Sequence, residues 1–230
     1  MTQVNAQNLS SEFPNGRALL EFVHGVNQNK VPEVIHCKLS LRDYYEDKLI
    51  YSGEEYLRKA NEHIILYNND FGLNAKINRN NFQYIRLKDD IVYKSAYLDL
   101  ELFALLGIHI LNAEKSDSIL RSIGVDTDII TDAIRLGRSA WVIGSDGKQM
   151  DVPQIWIDKE YLSVRRLNYI NLPQESVQKL EWENYEDLNG FYFPKNMGFK
   201  NDPEIYNVYT RSDIKLLKKL PEDIKGLFTD

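Results

Sequence analysis

Residues 137–171 read GRSAWVIGSDGKQMDVPQIWIDKEYLSVRRLNYIN, and residues 180–194 read LEWENYEDLNGFYFP. Turn chemistry breaks every apolar run in this stretch. Asp146-Gly147 and Asn189-Gly190 suit tight hairpin turns, because Gly, Asn and Asp tolerate positive φ. Leu136-Gly137-Arg138-Ser139 and Asp158-Lys159-Glu160 separate further runs. Each arm alternates, or is rich in Val, Ile, Tyr, Trp and Phe, as a half-buried strand requires. The reading is a meander of antiparallel strands over 128–210, with both dipeptides at hairpin tips. It carries no catalytic punctuation.

Towards the N-terminus the same grammar recurs. Val34 to Tyr45 alternates as a strand, with Ile35, Cys37, Leu39 and Leu41 facing inward and His36, Lys38 and Ser40 outward. Glu46-Asp47-Lys48 turns the chain and Leu49 to Leu57 returns. Short strands follow at His63–Tyr67, Leu73–Ile77, Phe82–Leu87 and Ile91–Tyr93. Their turns fall at Asn68-Asn69-Asp70, Asn78 to Asn81 and Lys88-Asp89-Asp90.

Two segments break the strand pattern. Pro14 to Val26 predicts a helix, about 16–27, with Leu19, Phe22, Val23 and Val26 on one apolar stripe, weakened by Gly25. Leu98 to Leu111 carries Leu98, Leu102, Leu105 and Leu106 at helical spacing. After it, Ser116 to Gly124 offers a capping Ser and a terminating Gly. The tail holds Leu216, Leu217, Leu220 and Leu227, with Pro221 interrupting any single helix. No repeat and no Pro- or Ser-rich linker divides the chain, so one domain over 1–230 is expected, with 1–13 a flexible leader. A curved sheet presents a concave face on which apolar helices can be buried. Helices laid across a partly closed barrel would leave a pocket lined by aromatic and aliphatic side chains.

The chain has 230 residues, 43% of them apolar and 27% charged, enough for a substantial core in a soluble protein. A net charge of −6 argues against a general nucleic-acid binder, which would show a basic stripe. Arg165-Arg166 and Lys215 with Lys218-Lys219 read as solvated surface. Cys37 is the only cysteine, which excludes an intramolecular disulfide and a multi-cysteine metal site; it reads as a buried structural thiol. Leu98 to Leu111 is too short for a membrane span and carries Asp99, Glu101 and His109. The N-terminus lacks a basic region followed by an apolar core, so no signal peptide is read there. Met1 marks either a cytoplasmic protein or a start placed after a removed export signal.

No phosphate loop, nucleotide fingerprint or HExxH helix occurs. Ser145 lies between glycines, but not at the spacing of a nucleophile elbow. His24, His36, His63 and His109 are scattered without metal-ligand spacing and read as surface or packed histidines. Glu54-Glu55, Asp89-Asp90 and Glu181-Glu183-Glu186-Asp187 read as solvated charge. The expectation is a non-enzymatic protein with no metal and no cofactor.

Gly137-Arg138 followed by Ala140-Trp141-Val142-Ile143-Gly144 resembles the "GR.AYVIG" hairpin of the outer-membrane lipoprotein-sorting carriers and acceptors, the LolA/LolB-like superfamily. Pro153 to Glu160, then Leu162-Ser163-Val164-Arg165, is similar to that group's "W.DK.T.LPVR" strand–turn–strand, with Ser163 where proline is usual. Tyr185 to Gly190 with Phe193-Pro194 resembles its "Y..V.G..FP" hairpin, and Leu220 to Phe228 its closing segment. The resemblance implies a mainly β (α+β) fold: a strongly curved antiparallel sheet forming an unclosed barrel, with helices covering the concave face. It implies an exported protein, periplasmic or associated with the outer membrane.

The function expected on this basis is a binding or carrier protein for lipid, lipoprotein acyl chains or another apolar ligand in an internal cavity. Trp156, Leu167, Tyr169 and Trp182 are the candidate ligand-binding residues, with the helices at about 16–27 and 98–111 facing them. A one-residue register slip would reverse each assignment. The alternative is an envelope-stress sensor or protein-interaction module on the same scaffold, meeting an envelope protein partner through its surface and the Leu98–Leu111 segment. In neither reading does the chain bind nucleic acid or span a membrane.

Overall fold

Asn189 (φ 60°) and Gly190 (φ 86°) are consecutive left-handed residues, the pair that a type I′ turn requires. Leu188 N donates to Phe191 O at 2.8 Å to close the turn, which joins β11 (Ser176–Asp187) to β12 (Tyr192–Asp202). Leu136 (φ 53°) and Gly137 (φ 75°) make the same turn between β7 (Ile130–Arg135) and β8 (Arg138–Ile143). Asp146-Gly147 departs from the expectation. It lies in the long connection 144–153 between β8 and β9 (Gln154–Asp158), where Gly147 N donates to Ser145 Oγ. Pro153 and the alternation of the arms bound the strands there, and the dipeptide only bends the loop.

The computed structural model describes residues 12–225 apart from 69–72, 80–81, 88–89, 97, 150, 172–175 and 203–204. The turns expected at 69–70, 80–81 and 88–89, residues 1–11 of the leader, Asp89, Leu227 and Phe228 lie outside them. The first strand set is β1 (Val34–Asp43), β2 (Leu49–Arg58), β3 (Glu62–Asn68), β4 (Leu73–Arg79), β5 (Phe82–Leu87) and β6 (Asp90–Ala96). β10 (Val164–Asn171) and β13 (Ile205–Leu217) complete the second set. Among the described residues thirteen strands form one antiparallel sheet in the order β6-β5-β4-β3-β2-β1-β13-β12-β11-β10-β9-β8-β7. The two meanders join through β1 and β13, so the first strand and the last sit together at mid-sheet and β6 and β7 form the edges. β1 alternates as read: Ile35, Cys37, Leu39 and Leu41 are buried, whereas Lys38 is exposed.

Helical segments stand before the first strand set and between the two sets. α1 (Gly16–Asn27) is capped by Asn15, whose side chain accepts from Ala18 N at 3.0 Å. It buries Leu19, Leu20 and Val23, each contributing about 1.5–3 kcal/mol. The expected stripe is rotated: Leu20 and Asn27 point inward, while Phe22 is 41% exposed and leans on Phe13 and Trp141. Gly16 cannot carry a side chain, because a Cβ there would sit 2.5 Å from Ile143. α2 (Leu100–Leu102), a π-helical turn (Phe103–Gly107) and α3 (Ile108–Ile110) form one continuous run. α4 (Ala113–Ser122) is capped by Asn112, which accepts from Lys115 N, and not by Ser116, which is buried within the helix. Asn112 directly precedes the first helical residue, where an N-cap must stand.

One large apolar cluster unites α1, the helical run and α4 with the sheet residues Ile35, Leu57, Trp141, Ile143, Ile155, Ile157, Leu167, Trp182, Phe193 and Met197. The opposite face carries two smaller clusters. In one, Val34, Tyr56, Ile64, Ala75 and Ile77 meet Leu220 and Ile224, the latter from α5 (Glu222–Lys225). Among the described residues no helix is long and apolar enough to cross a membrane.

The turn at Leu136-Gly137 yields a test. A non-glycine residue in the left-handed region costs about 1–2 kcal/mol, Asn much less. Leu136 is also 75% exposed, so its side chain has little packing to lose. Leu136→Asn is expected to stabilise the protein by about 1 kcal/mol and raise Tm by about 2–4 °C. A melting curve unchanged or lowered would refute this.

Candidate functional site

The helix-covered face divides into an apolar part and a polar part. Over β8 to β12 it is formed by the large cluster, and the π-helical turn packs directly against β10. A π turn holds one residue more than an α turn and is weaker, and such turns recur at functional positions. Phe103 to Gly107 are all buried.

Over β1 to β4 and β13 the same face is charged. Arg211 on β13 is 1% exposed; its Nε donates to Glu55 Oε2 on β2 at 2.6 Å, and its Nη2 to Glu101 on α2. His63 on β3 reaches Glu55 Oε1 through Nε2 at 2.8 Å and Asp99 Oδ2 through Nδ1 at 2.7 Å. Asp99 also accepts from Asn78 and, as N-cap of α2, from Leu102 N at 2.9 Å. The Cys37 thiol donates to Glu55 Oε2 at 3.3 Å. Arg211 Nη1 has no hydrogen-bond partner among the described residues.

The charges in this cluster compensate one another. Burial alone disfavours every ion, yet the charge of Arg211 and the bonds from His63 outweigh it and hold Glu55 well below the usual carboxylate range. For His63 too, burial is outweighed by the charges and hydrogen bonds of Asp99 and Glu55, and its value is pushed up to about 10. Asp99 is lowered to about 2, again against burial, chiefly by His63. Glu101 moves upward, because burial exceeds the attraction of Arg211 and Glu55 repels it. At neutral pH the cluster thus holds Glu55 and Asp99 as anions and His63 and Arg211 as cations, with Glu101 drawn toward its neutral form. Burial also pushes the Cys37 thiol far up, so it stays protonated. Together these bonds fasten the start of the helical run to five strands.

A second buried histidine ties helix to helix. Asn27 Nδ2 lies 3.1 Å from His109 Nδ1, and His24 Nδ1 lies 2.9 Å from His109 O. Burial pushes His109 down to about 3, so it is neutral, and its ring stands edge-on to Phe191 with centroids 5.2 Å apart. Among the described residues no group of His, Cys, Asp and Glu is placed to hold a metal ion.

Several expectations are corrected here. Glu55 is not solvated but fully buried, and Arg166, read as surface, is 7% exposed. His63 is not an isolated histidine; it bridges two carboxylates. The only local hint was Glu55 at an inward strand parity, alternating with Leu57 and facing Cys37 across β1–β2. Leu167 and Trp182 fall in the large helix-covered cluster and Tyr169 packs against it. Trp156 does not join them. It lies on the other face with Ala133, Ala140 and Val142, its Nε1 donating to Gln154 Oε1 at 2.9 Å. A register shift between Val164 and Arg166 places Trp156 opposite Arg166, while its neighbour Ile155 faces Leu167.

With this geometry, three solved structures share the fold of the chain at low sequence identity. A LolA superfamily protein from Nitrosomonas europaea is 13% identical with a TM-score of 0.57, over 94% of this chain and 98% of that one. A DUF1329 family protein from Desulfovibrio piger is 13% identical with a TM-score of 0.57, over 90% and 94%. A domain from Vibrio parahaemolyticus, described as an outer membrane lipoprotein-sorting protein, is 12% identical with a TM-score of 0.57, over 92% and 97%. No family model and no curated protein matches the sequence. The chain is therefore a mainly β protein with the fold of the LolA superfamily.

Proposed function

We propose that the protein binds or carries an apolar ligand, a lipid or a lipoprotein acyl chain, taken up between the helical run and the sheet face beneath it. In this reading the sheet curves around the ligand as an unclosed barrel, and the protein works in the periplasm or at the outer membrane. The observation that carries it is the π-helical turn Phe103–Gly107, buried and seated on β10, the strand of Leu167 and Tyr169. A widened turn over the apolar side of β10 can move aside at small loss of hydrogen bonding, and each ligand CH₂ then buried contributes about 0.8 kcal/mol. Leu167, Tyr169 and Trp182 are the proposed contacts. A fluorescent fatty-acid probe is expected to bind saturably and to be displaced by lipoprotein acyl chains. Leu167→Trp, which fills the seam, should weaken binding at least tenfold while leaving the far-UV spectrum unchanged. Absence of saturable binding would overturn the reading.

One observation favours the interaction module instead. On the face away from the helices, Tyr44, Tyr45, Glu181, Glu183, Asn196, Gly198 and Val208 line an open groove of about 470 Å³. Tyr44 and Tyr45 are 62% and 69% exposed at its rim. The Leu98–Leu111 segment offers no such surface, since Leu102 to His109 are buried. Mass spectrometry of organic extracts separates the two readings: co-purified lipid supports the carrier, lipid-free protein the module.

A further inference from the structure

We propose that the open groove rimmed by Tyr44 and Tyr45 receives a basic segment of another polypeptide, with a lysine or arginine side chain set between the two tyrosine rings and the Glu183 carboxylate. The proposal rests on the interaction-module reading and names the chemistry of the partner; it is independent of the carrier reading.

The groove follows from the register of the sheet. Trp182 and Met197 point into the helix-covered cluster, so their neighbours Glu181, Glu183, Asn196 and Gly198 present the other face. Glu181, Gly198, Val208 and Arg42 form one row across β11, β12, β13 and β1. Gly198 brings no side chain to this row, which leaves a trough. Arg42 is engaged at the hairpin tip, where its Nη1 donates to Asp47 O at 3.0 Å and to Asp47 Oδ1 at 3.2 Å. The turn that carries both tyrosines is itself fixed. Asp43 Oδ1 accepts from Tyr45 N at 2.9 Å and from Glu46 N at 2.8 Å.

Aromatic surface, charge and shape together select the occupant. Tyr44 and Tyr45 are more exposed than buried, and their rings stand 5.7 Å apart at 86°, forming a corner. Large aromatic surface left open beside a groove marks a binding face, and ring faces attract cations. The charged side chains lining the groove are Glu181 and Glu183. Glu181 is already shared by Arg135 at 3.2 Å and Arg166 at 3.4 Å. Glu183 is exposed and makes no ion pair among the described residues. Ring faces beside an uncompensated carboxylate favour a cation, and the net charge of −6 draws cations towards the protein. The groove, about 470 Å³ and open to one side, has more room than one ammonium or guanidinium fills. Small-molecule sites enclose most of their ligand, whereas this one is shaped for an extended chain that lays one cationic side chain into it.

The test reads the tyrosine ring signals of ¹³C-labelled protein, with Tyr44→Leu and Tyr45→Leu assigning the two resonances. Both tyrosines and Glu183 are exposed, so these variants and Glu183→Lys keep the fold. The probes are acetylated and amidated Ala-Lys-Ala and Ala-Arg-Ala, the same peptide with citrulline or glutamate at its centre, and phosphocholine, each titrated at fixed ionic strength. A saturable shift of the Tyr44 and Tyr45 signals is expected with the lysine or arginine peptide. It should weaken at least about tenfold in Glu183→Lys, where like charges meet. In Tyr45→Leu the Tyr44 signal should report binding about two- to fivefold weaker, the worth of one exposed cation–π contact. Equal responses to the cationic, citrulline and glutamate peptides would overturn the cation preference and leave the groove as a peptide-binding face. A response to phosphocholine alone would overturn the proposal in favour of a lipid headgroup. No response to any probe would overturn both the proposal and the interaction reading of this groove, and an unchanged response in Glu183→Lys the proposal alone.

Discussion

Arg211→Ala is expected to destabilise the protein by about 3–5 kcal/mol at pH 7, the range for removing one partner of a buried ion pair. Arg211 and Glu55 are 1% and 0% exposed and 2.6 Å apart, so neither can recover solvation while the other remains. Without the guanidinium the cluster carries Glu55 and Asp99 as anions against His63 alone. At this chain length about 1 kcal/mol corresponds to about 2–4 °C, so Tm should fall by roughly 10 °C. The double variant Glu55→Gln/Arg211→Met restores neutrality, leaving His63 against Asp99, and should recover most of the loss. Urea unfolding of the three proteins decides it. A loss below about 1 kcal/mol in Arg211→Ala, or a double variant no better than the single, would refute the account.

Stability is expected to fall as pH rises from about 7 to about 10, because His63 is charged in the folded protein. Its folded value, about 10, lies above the unfolded value of 6.5. The contribution is therefore complete below about pH 6.5 and is lost progressively as pH climbs through about 10. Each unit of difference is worth about 1.4 kcal/mol, so several kcal/mol are at stake. Cys37 acts in the same direction at higher pH, since the unfolded thiol ionises near 8.5 and the folded one does not. Between about pH 6.5 and 7.5 His109, neutral when folded, acts in the opposite direction as its unfolded form loses its proton, so the comparison with His63→Gln isolates the His63 part. His63→Gln should be less stable than wild type at pH 6.5 and show a flatter profile through that interval. An unaltered slope in His63→Gln would mean that His63 is neutral when folded.

Both effects arise where the helical run meets the sheet. Asp99 caps α2 and binds His63, while Glu101 in the first turn of α2 binds Arg211, so loss of the charge balance also loosens the helix that covers the apolar seam. The carrier reading connects to this point: a ligand entering beside the π-helical turn would do so next to its most firmly held end.

Much of the architecture was legible in the sequence because it depends on near neighbours. Alternation decided that Ile35, Cys37, Leu39 and Leu41 face one way, and paired turn residues located the Asn189-Gly190 hairpin. The motifs around Trp141, Trp156 and Tyr185 indicated the superfamily whose fold the structure shows. Three matters stayed out of reach. Whether Phe22 or Leu20 faces the core depends on where α1 lies against β8, which Gly16 settles by its approach to Ile143. The side taken by Trp156 turned on one register shift in β10. Above all, Glu55 and Arg211 are 156 positions apart, and only the pairing of β1 with both β2 and β13 brings them together. Periodicity reports which face a residue occupies, but a charge can be buried only when its counter-charge arrives from a distant strand, and that meeting is decided by the tertiary structure alone.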